Sequence, residues 1–241
     1  MVAEAIVLAG GLGTRLRSVL PDLPKPMAPI AGQPFLSYLL RFLEINLVHR
    51  VILAVGYRHS VISEFYGSNF GGLELCYSIE DEPLGTGGAL RQAMQQVESP
   101  FVFVLNGDTF LRLEYQNFAA SLEAEPDAQL AVALRRVEDA SRYGAALVDR
   151  HRIVGFSAKG AQASGWINGG SYVMARDIFQ RASLPPKFSW EQDFLEPRVT
   201  TLRPIAYESD APFIDIGIPQ ALEQAQTLIP EWVGAAAALG R

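Results

Sequence analysis

Two positively charged side chains follow a glycine-rich run near the start of the 241-residue chain. Residues 10–14 read GGLGT, Arg15 comes directly after them, and Lys25 lies ten positions further on, between two prolines. Glycines let a backbone approach a phosphate or a base closely, with its amide hydrogens directed inward. The prolines fix the backbone around Lys25 and keep it out of a helix. Arg15 and Lys25 therefore predict a triphosphate-binding site, the alternative being two solvated surface cations.

Two other kinds of glycine-rich loop do not fit this segment. A P-loop ends in Gly-Lys followed by Ser or Thr, and the chain contains no Gly-Lys pair. A dinucleotide-binding loop has a third glycine where Leu16 stands, and an acidic residue about twenty positions later at the end of the next strand. Both of these are missing. The segment therefore predicts neither a P-loop enzyme nor a nicotinamide oxidoreductase.

Two aspartates that are far apart in the sequence have the surroundings of metal ligands. Asp108 follows the apolar run 101–105 and a glycine, and Asp215 lies between two isoleucines. A buried carboxylate is costly without a partner, and Mg²⁺ prefers one or two carboxylates together with phosphate oxygens and water. The pair therefore predicts a Mg²⁺ site. The alternatives are a turn residue at Asp108 and a helix N-cap at Asp215, before Pro219.

The spacing of apolar residues predicts the elements that position these side chains. Uninterrupted apolar runs separated by helical patterns indicate a parallel sheet covered on both faces. Ligands bind at the carboxyl ends of such strands, so the loops that follow the strands are the candidates for the site. We predict strands at 5–9, 51–55, 73–79 and 101–105, helices at 35–46, 60–70 and 88–97, and site loops at 10–17, 56–59, 80–87 and 106–110.

The second half of the chain has a less regular pattern, which is typical of a mixed sheet. No linker divides the chain, so residues 1–241 are predicted to form a single domain. Strands are predicted at 129–137, 145–148, 153–156 and 170–174, and helices at 191–199 and 219–228, with a frayed tail at 234–241.

The composition excludes several classes of protein. Hydrophobic residues make up 49% of the chain and charged residues 19%, with a net charge of −6. This balance is typical of a globular protein, and it argues against nucleic acid as the main partner, because phosphate backbones are bound by clustered cations. The one cysteine, Cys76, excludes an internal disulfide. No apolar run approaches the ~18 residues of a membrane span, and the N-terminus does not resemble a signal peptide. We therefore expect a cytoplasmic protein without membrane contact. The sequence allows a homo-oligomer.

The motifs LAGGLGTRL and PKPMAPIAGQPFL resemble the opening signature of the sugar-phosphate nucleotidyltransferases. The resemblance implies a Rossmann-like three-layer α/β sandwich around a mixed, mostly parallel sheet. It implies that Arg15, Lys25 and Asp108 are catalytic. It also implies that Asp108 and Asp215 hold Mg²⁺, because the family takes one aspartate from a G-D motif and one from a late D-I/V-G-T/I-P motif, and both motifs are present. The nucleotide-binding residues it implies are Leu8, Ala9, Gly10, Gly11, Gly13, Thr14, Arg15, Glu80, Glu82, Gly85, Thr86, Gly87, Asn106 and Gly107.

A second glycine-rich turn, EPLGTGGAL at 82–90, borders the nucleobase in relatives, so Glu80 or Glu82 is expected to face the base. An ionised carboxylate only accepts hydrogen bonds. Guanine offers two adjacent donors on its pairing edge, uracil and thymine offer one, and adenine offers none that is not next to an acceptor. A carboxylate here favours guanine, although backbone groups are able to do the same work.

The sugar-binding segments of the family are matched, in order, by residues in the second half of the chain. The residues implied to bind the sugar phosphate are Tyr143, Gly144, Lys159, Asn168, Gly169 and Glu191. Relatives often carry Glu before the lysine, where this chain has Ala158. Glu191 is the candidate replacement, the alternative being an acidic residue favoured by a helix N-terminus.

Motifs from about residue 3 to 228, including VLNGDTF, SRYG, INGGSYVM, SWEQDF and FIDIGIP, closely resemble the D-glycero-α-D-manno-heptose 1-phosphate guanylyltransferases. The implied substrates are GTP and a sugar 1-phosphate, and the implied product is a nucleotide sugar for bacterial surface polysaccharide. Within the single domain, the resemblance implies a nucleotide-binding half at about 1–110 and a sugar-binding half at about 111–228, followed by a tail at 229–241. Alternatives are guanylyl transfer to mannose 1-phosphate, uridylyl transfer to an N-acetylated sugar 1-phosphate, and a non-catalytic nucleotide-sensing subunit.

Overall fold

Ten strands form one central sheet with helices on both of its faces. The computed structural model of the chain describes residues 1–11, 23–140, 144–158, 160 and 164–238. Its strands are β1 (Glu4–Leu8), β2 (Pro29–Ile30), β3 (Gln33–Pro34), β4 (Arg50–Val55), β5 (Asn69–Phe70), β6 (Leu73–Ile79), β7 (Phe101–Asn106), β8 (Thr109–Leu111), β9 (Leu130–Val137), β10 (Ala146–Asp149), β11 (Arg152–Phe156), β12 (Gly165–Ala175), β13 (Ile205–Ser209) and β14 (Phe213–Asp215). Its α-helices are α1 (Phe35–Ile45), α2 (His59–Tyr66), α3 (Gly85–Ala93), α4 (Tyr115–Glu123), α5 (Glu196–Leu202) and α6 (Pro219–Ala238).

Four parallel strands, in the order β6-β4-β1-β7, form one half of the sheet. Their side chains alternate between two separate hydrophobic cores. In β4, for example, Val51 and Leu53 pack into one core, whereas Ile52 and Ala54 pack into the other. Both faces are therefore buried, which is why these strands read as uninterrupted apolar runs.

The other half of the sheet is mixed. The strand β12 runs antiparallel between β7 and β9, β13 lies parallel to β9, and β11 and β10 complete the edge as an antiparallel hairpin. Seven of the ten strands share one direction, because only β5, β11 and β12 run the opposite way. The predicted mixed, mostly parallel sheet is therefore confirmed.

Helices form a layer on each face of the sheet. The helices α1, α2, α4 and α6 contribute buried side chains to one core. The helices α3 and α5 contribute to the other, together with a π-helical turn at Trp190–Leu195. This is the predicted three-layer arrangement. None of the described helices is both long enough and apolar enough to cross a membrane.

The structure corrects several predicted boundaries. The helix predicted at 60–70 ends at Tyr66, because Gly67 has a φ of +61°, and residues 69–70 instead form β5. The helix predicted at 88–97 begins at Gly85. The predictions had no counterpart for α4, for β13 or for the short pair β8–β14.

The predicted tail at the end of the chain is also wrong over its described part. Residues 234–238 continue α6, which reaches Ala238. Ile229, Val233 and Ala236 are all buried and recur at helical spacing, so one face of this segment packs on the core. The alanine-rich composition also has high intrinsic helix propensity.

Glu4 holds the amino ends of the central strands together. Its carboxylate accepts hydrogen bonds from Arg50 Nη1 at 2.6 Å and from the backbone N–H groups of Glu98 and Ser99 at 3.0 and 2.5 Å. These partners precede or begin β7 and β4, which flank β1. Burial alone raises the pKa of Glu4, but the hydrogen bonds from Ser99, Arg50 and Glu98 hold it below its ordinary value of 4.5.

We predict that Glu4→Gln lowers the free energy of unfolding by about 2 kcal/mol at pH 7, because bonds to a buried charge are lost. The pKa of Glu4 is depressed by folding, so its contribution is present above pH 4.5 and is lost as the pH falls through the lower, folded-state pKa. The difference between parent and variant should therefore shrink below pH 4.5. Urea denaturation at several pH values measures this. Glu123→Gln, at an exposed pair with the N-terminus, is the control with little expected effect; equal midpoints for Glu4→Gln and parent at pH 7 would contradict the prediction.

Candidate active site

A cleft of about 1210 Å³ opens at the carboxyl ends of β1 and β7. Leu8 and Ala9 enter it from the end of β1, and the segment 106–108 enters it from the end of β7. This is the edge at which parallel sheets bind ligands. The predicted site residues that line the cleft are Leu8, Ala9, Gly10, Gly11, Lys25, Glu80, Gly85, Thr86, Asn106, Gly107, Asp108, Gly144, Asn168, Glu191 and Asp215.

Close backbone packing explains two of the glycines. The N–H of Gly107 donates to the carbonyl of Leu8 at 2.9 Å, and a Cβ at Gly107 would lie 2.6 Å from that oxygen. A Cβ at Gly10 would overlap the carboxylate of Glu80. The loops after β1, β6 and β7 are thus in direct contact, and only residues without a side chain fit between them.

Lys25 and Asp108 meet on the floor of this cleft. Lys25 begins a short 3₁₀ turn, Lys25–Met27, whose other residues are buried. Its Nζ donates to Asp108 Oδ2 at 2.9 Å, and the side chains of Lys25 and Asp108 are 12% and 32% exposed. The structure therefore brings together two of the three residues predicted to be catalytic.

Asp215 reaches the same corner through strand pairing. It ends β14, which pairs antiparallel with β8, so that Asp215 lies opposite Thr109, the neighbour of Asp108. The N–H of Ile216 donates to the carbonyl of Asp108 at 3.0 Å. Asp215 Oδ1 accepts from the N–H of Gly217 at 2.7 Å, which is a local turn rather than the helix N-cap considered as an alternative.

The second glycine-rich turn packs mainly against the protein. Gly85 has a φ of +71° and, together with Thr86, borders the cleft. Gly87 is buried instead, because a Cβ there would overlap the ring of Phe188 and its N–H donates to the Phe188 carbonyl at 3.0 Å. Close packing accounts for this glycine, which is not among the described residues that line the cleft, and its expected contact with the nucleotide stays a prediction. Glu82 is exposed and is not among the described residues that line the cleft, so its role beside the base stays a prediction.

Glu80, the other carboxylate that is expected to face the base, lines the cleft. Its Oε2 accepts from the N–H of Leu84 at 2.8 Å, which ties the end of β6 to the second glycine-rich turn. Burial raises the pKa of Glu80, and the hydrogen bond from Leu84 only partly offsets that effect.

On the opposite wall, Asn168 and Gly144 border the cleft beside a bulge in β12. The register of β12 against β9 shifts between Asn168 and Tyr172, and Gly170 within the bulge has a φ of +69°. Gly169 is buried against Leu111 and the carbonyl of Ala133, and its expected contact with the sugar phosphate stays a prediction.

Five residues predicted for the site, Gly13, Thr14, Arg15, Tyr143 and Lys159, lie outside the described residues. Sequence reasoning missed one cation, since Lys187 is exposed and lines the cleft. Lys187 follows two prolines, Pro185 and Pro186. Prolines beside a lysine fix its backbone, and the same pattern predicts a site role for Lys25.

Comparison with known proteins assigns this architecture. A family model described as nucleotidyl transferase matches residues 4–231. The chain belongs to the nucleotidyl transferase family. The resemblance seen in the glycine-rich motifs is thereby confirmed over almost the whole chain.

Relatives within this family are similar over their full length. The chain is 42% identical over 231 residues to a D-glycero-alpha-D-manno-heptose 1-phosphate guanylyltransferase of Aneurinibacillus thermoaerophilus, covering 95% of this chain and 100% of the relative. The enzyme of the same name from Campylobacter jejuni is 41% identical, with 90% and 96% covered. A crystal structure of HddC from Yersinia pseudotuberculosis superposes with a TM-score of 0.82 at 39% identity, covering 93% of this chain and 98% of that one.

We predict that Gly87→Ala destabilises the fold by roughly 2 kcal/mol, because overpacking a filled site costs about 1–3 kcal/mol. The added methyl group has to displace the Phe188 ring. Thermal unfolding followed by circular dichroism measures the loss. Gly11→Ala is the matched control, since a Cβ at Gly11 would have no neighbour within 4 Å among the described residues; an equal melting temperature for both variants would show that Gly87 is not a packing glycine.

Proposed function

We propose that the protein transfers GMP from GTP to D-glycero-α-D-manno-heptose 1-phosphate, giving GDP-heptose and pyrophosphate. The observation that carries nucleotidyl transfer is the meeting of Lys25, Asp108 and Asp215 in one corner of the cleft. Two observations support the choice of GTP and heptose. Both relatives described above are heptose 1-phosphate guanylyltransferases that align with this chain over nearly their whole length. A solved HddC structure that is 38% identical to this chain is complexed with GMP-PN.

The reaction needs no covalent nucleophile from the protein. A phosphate oxygen of the sugar 1-phosphate attacks the α-phosphorus of GTP and forms the new P–O bond. The bond from the α-phosphorus to the bridging oxygen of the β-phosphate breaks, and that oxygen leaves with pyrophosphate. Catalysis of this kind is positioning combined with charge stabilisation. Lys25 and Arg15 are proposed to stabilise the charge that grows on the leaving pyrophosphate.

The two aspartates fit a Mg²⁺ ion by the chemistry of their donors. Among the described residues no group of three or more His, Cys, Asp or Glu forms a metal cluster. Mg²⁺ is nevertheless usually bound by only one or two carboxylates of the protein, with phosphate oxygens and water as its other ligands. We propose that Asp108 and Asp215 hold the ion, whose chemistry is to neutralise and orient the phosphate oxygens.

The two substrates are proposed to occupy opposite walls of the cleft. The guanosine lies on the wall of Gly10, Gly11 and Glu80, and the sugar phosphate lies against Gly144, Asn168 and Glu191 with Lys159. Lys187 supplies a further positive charge for the phosphates on that side. Because GTP is a cytoplasmic metabolite, we place the reaction in the cytoplasm.

We predict that Asp108→Asn lowers kcat/KM by roughly a hundredfold or more, the range found when a charge-stabilising group is removed from an active site. The variant loses the negative charge that pairs with Lys25 and that is proposed to hold the metal. Pyrophosphate release at a series of Mg²⁺ concentrations measures the effect. Asp210→Asn is the matched control, because Asp210 is 80% exposed and pairs only at the surface with Arg135; full turnover by Asp108→Asn would refute the metal assignment.

The substrate assignment predicts the highest kcat/KM for GTP with D-glycero-α-D-manno-heptose 1-phosphate. A pyrophosphate-release screen should cross four nucleoside triphosphates with a panel of sugar 1-phosphates. A preference for UTP or dTTP would overturn guanylyl transfer, and a preference for mannose 1-phosphate would overturn the choice of heptose. No release with any pair would favour the non-catalytic nucleotide-sensing subunit instead.

A further inference from the structure

Four side chains on the acceptor wall form a continuous hydrogen-bonded network around Glu191. The hydroxyl of Tyr172 donates a hydrogen bond to Glu191 Oε1 at 3.3 Å and accepts one from Asn168 Nδ2 at 2.8 Å. The hydroxyl of Thr86 donates a hydrogen bond to Glu191 Oε2 at 3.2 Å. The same hydroxyl accepts from the N–H of Trp190 at 2.9 Å. We call Asn168, Tyr172, Glu191 and Thr86 the Glu191 network.

The chemistry of the groups fixes the direction of each of these bonds. A carboxylate only accepts, so Tyr172 and Thr86 have to donate to Glu191. Asn168 uses its oxygen to accept from the N–H of Gly170 at 3.0 Å, which leaves its Nδ2 directed at Tyr172. Tyr172 is fully buried, and burial raises its pKa well above 10, with the charge of Glu191 adding to the effect. Its hydroxyl therefore remains a donor at every physiological pH.

The backbone of Glu191 is fixed as well. Glu191 lies in the π-helical turn Trp190–Leu195, a rare conformation that is frequent at functional sites. Ser189 caps this turn by accepting from the N–H of Gln192 at 3.2 Å, and Asp193 accepts in return from the N–H of Ser189 at 2.7 Å. Trp190 is fully buried and stacks on Phe194 with ring centroids 5.1 Å apart.

Within the described part of the chain, Glu191 nevertheless keeps unused acceptor capacity beside the cleft. A carboxylate has about four acceptor positions, and the network uses one on each oxygen. The residue is half-buried and lines the cleft. Two neighbouring acceptor oxygens held in one plane suit two neighbouring hydroxyl groups, such as those of a sugar ring.

We propose that Tyr172 and Thr86 are positioning residues, which hold the Glu191 carboxylate in one orientation for two adjacent hydroxyl groups of the sugar 1-phosphate. The proposal rests on the proposed function, because it presumes that the acceptor is a sugar. It also gives the second glycine-rich turn a role in acceptor binding, since Thr86 belongs to that turn. Neither Tyr172 nor Thr86 has to touch the reacting phosphates for this role.

The test measures steady-state KM values for both substrates in Tyr172→Phe. Removal of one bond to a charged group is expected to raise the KM for D-glycero-α-D-manno-heptose 1-phosphate roughly tenfold, with the KM for GTP changed less than twofold. Tyr66→Phe is the matched control, because it deletes another buried tyrosine hydroxyl, whose hydrogen-bond partner among the described residues is Ser37, outside the network. A purely structural role predicts similar losses of melting temperature in both variants and no selective change in acceptor KM.

A double-mutant cycle then asks whether Tyr172 acts through Glu191. In a Glu191→Gln background, Tyr172→Phe should change the acceptor KM less than twofold further. Thr86→Val, at an exposed position, should raise the acceptor KM in the same selective way, and Thr86→Ser, which keeps the hydroxyl, should raise it less. An active parent with an unchanged acceptor KM in both Tyr172→Phe and Thr86→Val overturns this inference alone. A parent that releases no pyrophosphate with any acceptor overturns the proposed function and this inference with it.

Discussion

The parallel pairing of β1 with β4 and β7 is the constraint on which the rest of the site depends. It places the loops after β1, β6 and β7 at one edge of the sheet, so close together that Gly10 and Gly107 leave no space for a side chain. At the opposite edge Glu4 joins the amino ends of the same strands. A buried ionic contact at one end and packed glycines at the other therefore fix the floor of the cleft.

Much of the first half was predictable from the sequence because its strands are buried on both faces. Uninterrupted apolar runs mark such strands, and the polar residues that follow each run have to meet at one edge. That reasoning predicted the place of Asp108, which follows the run 101–105, whereas Lys25 was predicted from the prolines that flank it. It could not show that Asp215 reaches Asp108, because their contact depends on the pairing of two three-residue strands that are separated by more than a hundred residues. Strands this short have no periodicity to detect.

Glycines were the least predictable part of the site. The sequence shows that a glycine is present but not what occupies the space where a side chain would be. Gly10 and Gly85 border the cleft, whereas Gly87 and Gly169 face Phe188 and Leu111 within the protein. The Glu191 network was hidden for a related reason. Its members come from three distant segments, and only their packing around Trp190 brings them into contact.

The packing of the second glycine-rich turn against Phe188 also bears on how this scaffold can be recombined. Gly85 and Gly88 fit closely against the carbonyls of Phe188 and Pro186, and Arg91 donates to the carbonyls of 184–186. The segments 84–91 and 184–191 therefore behave as one interlocking part, although almost a hundred residues separate them. Exchanging this wall of the cleft between relatives requires both segments to be transplanted as a matched set, while the corner of Lys25, Asp108 and Asp215 can stay with the host.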